Sequence, residues 1–164
     1  AKYSNLKIGE VTKLDLASDY TDVDIQESDV VKYISKYGNI KIQNVKSLDA
    51  TGNYLTLKVG ELSNTLKLST KYSNVTIGTI NAKANNVNIA ASYTGLNIGF
   101  DANYAFDFNV TVKYANFKYD NELEINSKED SNNLKKYSGF YKKRGVNNVS
   151  IISDYGNVML VKKQ

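Results

Sequence analysis

Apolar residues recur along the chain in pairs separated by one residue, and each pair lies at a fixed distance from a tyrosine. The motif Tyr-x-x-φ-x-φ, where φ is an apolar residue, begins at Tyr3, Tyr20, Tyr37, Tyr54, Tyr72, Tyr93, Tyr114 and Tyr155. From the second tyrosine onward, another apolar pair begins six residues before the tyrosine. Such alternation is typical of short β-strands that bury one face.

The regular spacing of these motifs predicts the architecture. The tyrosines are 17, 17, 17, 18, 21, 21 and 41 residues apart. Because a single repeat cannot bury its apolar face alone, the repeats are expected to stack. We predict an all-β domain over residues 1–164, a single-stranded right-handed parallel β-helix, or β-solenoid, with about 17–21 residues per coil. The handedness follows from the general preference of parallel crossover connections.

The longest step interrupts this pattern near the C-terminal end. We interpret the 41 residues between Tyr114 and Tyr155 as two coils, of which one is degenerate and contains Leu123 and Ile125. An insertion or lid is expected at residues 126–147. At the other end, Tyr3 lacks a preceding apolar pair, so the first coil is expected to be incomplete and to need a cover.

Two other all-β folds fit the spacing less well. A left-handed hexapeptide helix needs an apolar residue every six positions, and steps of 17 and 21 break that register. An antiparallel sandwich or barrel also has many short strands, but it does not call for eight copies of one motif at nearly constant phase.

The composition excludes much catalytic chemistry. The chain has no cysteine and no histidine, so disulfides, thiolate zinc sites and imidazole acid–base catalysis are ruled out. We predict no catalytic residue, no metal and no cofactor. No apolar run is long enough to cross a bilayer as a helix. The sequence begins with Ala1, which we interpret as part of a longer precursor.

Two segments carry a family resemblance. Ser35-Lys-Tyr-Gly-Asn-Ile-Lys-Ile42 and Ser153-Asp-Tyr-Gly-Asn-Val-Met-Leu160 resemble the repeats of a bacterial putative adhesin family with β-helix repeats. The resemblance covers most of the chain and implies export to the cell surface, the periplasm or the medium. It implies no catalytic residue and no mapped binding residue.

The first candidate functional site is an acidic stretch. It contains Asp19, Asp22, Asp24, Glu27 and Asp29. Clustered carboxylates can bind calcium or form the acid–base pair of a sugar-cleaving enzyme. In the predicted stack, however, these carboxylates alternate with lysines of neighbouring coils, for example Asp29 with Lys46. The competing interpretation is a surface ladder of opposite charges.

The tyrosine row is a second candidate. Exposed aromatic rings can stack on sugars, whereas buried ones would close the core at a corner of each coil. The second residue after the tyrosine is Asn, Asp or Gly in seven repeats. These residues tolerate a left-handed backbone, so the turn of each corner is expected there.

The third candidate lies in the interruption. The segment from Lys128 to Gly145 holds six basic and two acidic residues, a net +4 that equals the net charge of the whole chain. Basic and aromatic residues together can grip an anionic glycan. The predicted binding residues are Lys135, Lys136, Tyr137, Phe140, Tyr141, Lys142, Lys143 and Arg144. The alternative is a lid over the last coils.

These observations predict a non-enzymatic, extracytoplasmic module, either an adhesin or a structural or binding element of the cell surface. The expected partner is an anionic glycan or another surface component, and not nucleic acid. A carbohydrate-active β-helix enzyme or a glycan-binding module is the alternative. An enzyme would require carboxylates that converge on one groove, such as Asp19 and Asp24 with a basic partner.

Overall fold

The computed structural model describes residues 3–131 and 133–163, and the backbone alone at residues 3, 4, 18, 21 and 163. Most of these residues lie in β-strands. The strands are β1 (Tyr3–Asn53), β2 (Leu55–Lys71), β3 (Asn74–Ile80), β4 (Val87–Ser92), β5 (Gly95–Asp101), β6 (Phe106–Lys113), β7 (Phe117–Tyr119), β8 (Glu124–Ser131), β9 (Leu134–Tyr141), β10 (Asn148–Asp154) and β11 (Val158–Lys163).

Neighbouring repeats pair in parallel, in the register of their apolar residues. Ile40 of β1 pairs with Leu57 of β2, an offset of 17 residues. The offset becomes 18 between β2 and β3, and 21 between β3 and β5. Because side chains alternate between the two faces of a strand, this register aligns the inward residues of successive repeats.

The inward residues form continuous buried rows. Eight residues of the predicted rows are at most 4% exposed: Val23, Ile25, Ile40, Ile42, Val75, Ile77, Leu96 and Ile98. Leu6 and Ile8 of the first repeat are only partly buried. The first repeat therefore lies at an end of the core, where its apolar residues are less covered than those of the interior rows.

The other end of the core is rich in aromatic side chains. Phe106 is fully buried, and its ring centroid lies 5.2 Å from that of Phe100 and 4.9 Å from that of Tyr104. The Tyr104 hydroxyl donates a hydrogen bond to the Asn85 carbonyl at 2.7 Å. Burial raises the pKa of Tyr104 well above its usual value. This phenol therefore remains a neutral donor.

The predicted right-handed parallel β-helix is wrong as a description of the whole molecule. Strand β9 pairs antiparallel with β6 on one side and with β8 on the other. All the strands join one mixed sheet, which curls into a half-barrel. The hairpin of β8 and β9 occupies much of the predicted insertion at 126–147 and covers the edge of β6.

The order of the repeats also departs from a regular solenoid. Strand β10 lies between β4 and β6, and β11 lies between β5 and β7. The last repeat in the chain is therefore not the last in space. The predicted degenerate coil at Leu123 and Ile125 is wrong too, because Ile125 belongs to β8 and pairs antiparallel with Gly139.

Candidate functional site

Among the side chains that the structure describes, seven tyrosines form a ladder on the surface. Their rings stack in the order Tyr20, Tyr37, Tyr54, Tyr72, Tyr93, Tyr155 and Tyr114. Adjacent ring centroids are 4.8 to 5.3 Å apart, and the planes differ by at most 15°. Each ring is about half exposed, for example 40% at Tyr37 and 53% at Tyr54. The rings therefore lie outside the core, and they stack on one another instead of standing as separate exposed rings.

Most of the ladder tyrosines have an unusual backbone conformation. Tyr54, Tyr72, Tyr93, Tyr114 and Tyr155 have φ between 51° and 57°, in the left-handed region. The predicted position of the left-handed turn, two residues later, is therefore wrong. The conformation costs a bulky residue about 1–2 kcal/mol.

Backbone hydrogen bonds hold the tyrosines in this conformation. The Tyr72 amide donates to the Ser92 carbonyl at 2.9 Å. The Tyr93 amide donates to the Asp154 carbonyl at 2.7 Å. Tyr54 and Tyr155 make the same kind of bond, to the residue before the next tyrosine in the ladder. The Tyr114 amide donates instead to the Asn133 carbonyl at 2.8 Å. The repeated bond and the ring stack offset the local strain.

The ladder limits what these rings can bind. Since neighbouring rings cover the faces of Tyr37 to Tyr155, a sugar has no free face on which to stack there. The exposed parts are ring edges and hydroxyl groups, which repeat about once per strand spacing. The ladder therefore presents a row of phenols at the surface and contributes to stability through its stacked faces.

The ladder can be tested by comparing Tyr72→Ala with Tyr72→Gly. Both variants lose two stacking contacts, each worth about 0.5–1.5 kcal/mol. Alanine keeps the left-handed penalty, whereas glycine removes it. We expect chemical denaturation to show a loss of about 2 kcal/mol for alanine and roughly 1 kcal/mol less for glycine.

Tyr114→Ala is a suitable control for that comparison. Among the described residues, Tyr114 stacks on one ladder ring, that of Tyr155. Tyr114→Ala should therefore lower the free energy of unfolding by about half as much as Tyr72→Ala does. A glycine variant at Tyr72 that is less stable than the alanine variant would contradict the strain argument.

A long groove, which we call the trough, runs beside the ladder across the strands. It has a volume of about 870 Å³. One set of lining residues occurs three positions before six of the ladder tyrosines, Tyr114 being the exception: Ala17, Ile34, Thr51, Ser69, Ala90 and Ile152. A second set immediately precedes the tyrosines: Asp19, Lys36, Asn53, Lys71, Ser92 and Asp154.

The shape of the trough follows from the sizes of its side chains. Ile34 and Ile152 are 47% and 50% exposed and stand towards its two ends. The small residues Thr51, Ser69 and Ala90 line the four-step interval between them. At about 4.8 Å per strand, the isoleucines are about 19 Å apart. The trough is therefore long enough for several units of an extended polymer.

The acidic stretch is divided between separate surfaces. Asp19 lines the trough, whereas Asp24 lines another depression with Lys41 and Lys58. The predicted pair of Asp29 and Lys46 is present, with an N–O distance of 3.4 Å. Within residues 3–131 and 133–163, no group of three or more acidic residues could hold a metal ion.

The predicted basic site is divided between the two faces of the hairpin. Tyr137 and Tyr141 are buried, at 7% and 4% exposure. The Tyr141 hydroxyl donates to the Ala102 carbonyl at 2.8 Å, and burial raises the pKa of Tyr141. These two aromatic side chains therefore pack inward, where a surface ligand would not reach them.

The remaining residues of that site lie at or near the surface. Lys136, Lys142 and Lys143 are exposed. The Arg144 guanidinium lies 4.5 Å from the ring centroid of Phe140 and donates a hydrogen bond to Asn126. Lys135 is half-buried and donates to Asn116 at 3.3 Å.

The trough was not predicted from the sequence. Its lining residues are mostly small and chemically varied, and they stand between the apolar pairs and the tyrosines. Their common position, one and three residues before six of the ladder tyrosines, was the available signal. That signal becomes a groove only when the repeats are placed side by side.

Comparisons with known proteins give one distant structural likeness. A crystal structure described as a putative cell adhesion protein from Clostridium sporogenes has 11% sequence identity, with a TM-score of 0.36. The likeness covers 99% of this chain and 94% of that one. No protein-family model and no curated protein matches the sequence.

This TM-score lies below the level of a shared fold. In the described ranges, 3–131 and 133–163, no helix is long and apolar enough to cross a membrane.

Proposed function

We propose that this chain is a non-enzymatic binding module of the bacterial cell exterior that holds an extended glycan in the trough. The observation that carries the proposal is the repeat of the groove itself. The trough presents side chains at the same two positions of six repeats, spaced by about 4.8 Å. This spacing is close to the length of one sugar unit in an extended chain.

A glycan fits this geometry better than a peptide. An extended peptide rises by about 3.3 Å per residue, with side chains alternating between faces, so it does not match the spacing of the repeats. Peptides also tend to bind along a free strand edge, whereas the trough crosses the strands. Thr51, Ser69 and Ser92 offer hydroxyl groups to a ligand.

The charges of the trough favour a neutral or weakly charged glycan. Two carboxylates, Asp19 and Asp154, are balanced by Lys36 and Lys71. The carboxylates are five strand steps apart, or about 24 Å. The acid and base of a glycoside hydrolase are about 5–9.5 Å apart. This separation supports binding over cleavage.

The repeat motif is the basis for placing the protein outside the cytoplasm in this proposal. The segments around Tyr37 and Tyr155 resemble repeats of exported adhesins, and this resemblance supports a position outside the cytoplasm. A cell-surface glycan would be accessible to the module there.

Filling the trough should abolish glycan binding. Ser69 is exposed in the middle of the trough, so Ser69→Tyr would place a ring where the glycan lies. The experiment is a glycan array on the purified protein, with and without calcium, followed by titration with the glycans that bind. We expect Ser69→Tyr to weaken binding by at least about tenfold, or 1.4 kcal/mol.

Thr76→Tyr is the matched control, because Thr76 is also exposed on a strand but does not line the trough. It should bind like the parent, and both variants should keep its melting temperature. Glycan binding that survives Ser69→Tyr would place the site elsewhere. An array with no bound glycan would contradict the proposed function.

Exposed lysines on and after β9 support a second candidate, binding of an anionic glycan. Lys142 and Lys143 are adjacent and exposed directly after β9, and Lys136 is exposed within β9. Glu122 and Glu124 lie near Lys142 in a neighbouring depression and oppose this attraction. We therefore place this site second to the trough.

Serine at both Lys142 and Lys143 should weaken binding to a sulfated glycan. Arg144 is left unchanged because its contacts with Phe140 and Asn126 contribute to the hairpin. The difference from the parent should shrink as salt rises, since charges are screened beyond about 8 Å at physiological ionic strength. Arginine at both positions is the charge-retaining control. Equal binding by the serine variant at low salt would exclude this site.

A further inference from the structure

Residues 148–163, which we call the C-terminal insert, occupy a slot between two earlier repeats. Val149 of β10 pairs with Val87 on one side and with Phe108 on the other. Val158 of β11 likewise pairs with Leu96 and with Phe117. The offsets are 62 residues on one side and 41 on the other, so both contacts are distant in the chain.

The insert is fully integrated into the slot. Val149, Ile151, Val158 and Leu160 are at most 1% exposed. The Tyr155 ring stacks at 4.8 Å on both Tyr93 and Tyr114. The insert therefore interacts with both walls of the slot through its backbone, its apolar side chains and Tyr155.

The two walls of the slot pair with the insert in the same register. Val87 and Phe108 meet the same residue of the insert, and they are 21 residues apart, as Tyr72 and Tyr93 are. The walls are thus successive repeats in the same register, separated by the thickness of one strand. A segment with this repeat pattern can pair with both walls of the slot, whether it belongs to the same chain or to another copy.

The connection that leads to the insert can serve as a hinge. Residues 142–147 join β9 to β10, and residues 142–146 are exposed. Lys142 and Gly145 in this connection have φ of 64° and 78°. Extending a short connection of this kind carries the following element away from its own molecule, which is the usual route to domain swapping.

We propose that the slot accepts the C-terminal insert of a second copy of this chain, so that two molecules assemble by exchanging residues 148–163. The exchange re-forms in each molecule the contacts seen here, as in other cases of strand exchange. It also affects the trough, because Ile152 and Asp154 of the insert line it. In the exchanged assembly, each trough is completed by its partner.

Single-cysteine variants of the full chain test this directly, because the chain has no cysteine of its own. Ser150 of the insert pairs with Asn88 in one wall of the slot. Asn88→Cys and Ser150→Cys would be mixed, unfolded, refolded together at high protein concentration and oxidised. Neither chain alone can form this disulfide internally. We expect a covalent dimer containing one of each variant.

Lys58→Cys mixed with Ser150→Cys is the control, since Lys58 is exposed but pairs with β1 and β3 instead of the insert. A mixed-dimer yield no higher than in this control would overturn the proposal. A yield clearly above it supports exchange.

A second measurement does not depend on cysteine yields. Deleting Gly145 and Val146 shortens the hinge, so that the insert reaches its own slot less easily. We expect a shift from the monomer mass to twice that mass in analytical ultracentrifugation. The double variant Asn88→Cys/Ser150→Cys with the full-length hinge, oxidised as a monomer at low protein concentration, has the insert locked in its own slot. This protein should remain a monomer when it is concentrated. A hinge-shortened protein that stays folded and monomeric would contradict the proposal.

Discussion

Replacing Phe106 by alanine is expected to lower the free energy of unfolding by about 3–5 kcal/mol. The Phe106 ring is fully buried and lies within 6.2 Å, centroid to centroid, of the rings of Phe100, Tyr104, Phe108 and Tyr141. Removing it leaves a cavity that stacked strands cannot easily close, because their backbones are tied on both sides. Chemical denaturation monitored by circular dichroism measures the loss.

Phe140→Ala is the matched control for this variant. Phe140 lies one position away from Tyr141 on β9 and is only partly buried, with the Arg144 guanidinium over its ring. We expect a loss of about 1 kcal/mol, since a partly exposed ring forms a smaller cavity. A Phe106→Ala loss no larger than that of the control would show that the aromatic cluster does not hold this end of the core together.

Gly156→Ala should also be strongly destabilising, by about 3 kcal/mol or more. A Cβ atom at position 156 would lie 2.0 Å from the carbonyl oxygen of Thr94 and 2.9 Å from its amide nitrogen. These are backbone atoms of an adjacent repeat and cannot move without disturbing the pairing of β5 and β11. The expected result is a lower melting temperature, measured by calorimetry.

Gly95→Ala serves as the control for Gly156→Ala. A Cβ at position 95 would meet only the Asn74 side-chain oxygen, at an ordinary distance of 3.5 Å. This variant should therefore change the melting temperature little. If Gly156→Ala were equally harmless, the insert would not be packed against the Thr94 backbone as described.

Much of the local structure could be predicted from the sequence because it depends on neighbouring residues. The alternation around Val75 and Ile77 predicted a strand with those side chains inward, and both are buried. The constant offset of 17 residues predicted which residues of early repeats lie side by side, as the contact of Lys46 with Asp29 confirms. A period of two and a fixed repeat length suffice for such predictions.

The candidate sites were predicted less completely. The basic hairpin was identified from its composition, but composition does not distinguish the inward face of β9 from the outward face. Tyr137 and Tyr141 pack inward, whereas Lys136 and Lys143 are exposed. The trough went unrecognised because no single segment contains it.

The sequence by itself determined the all-β class, the apolar pairs and the tyrosine repeats. Only the tertiary structure decided the order in which the repeats lie and the mixed direction of the strands. The physical reason is that repeats of one pattern offer equivalent edges, and Val149 of β10 pairs in the same register with Val87 on one side and with Phe108 on the other. The position of β10 between these two repeats, instead of after β6, depends on the hairpin that covers the other edge of β6 and on the hinge that returns the chain to the slot.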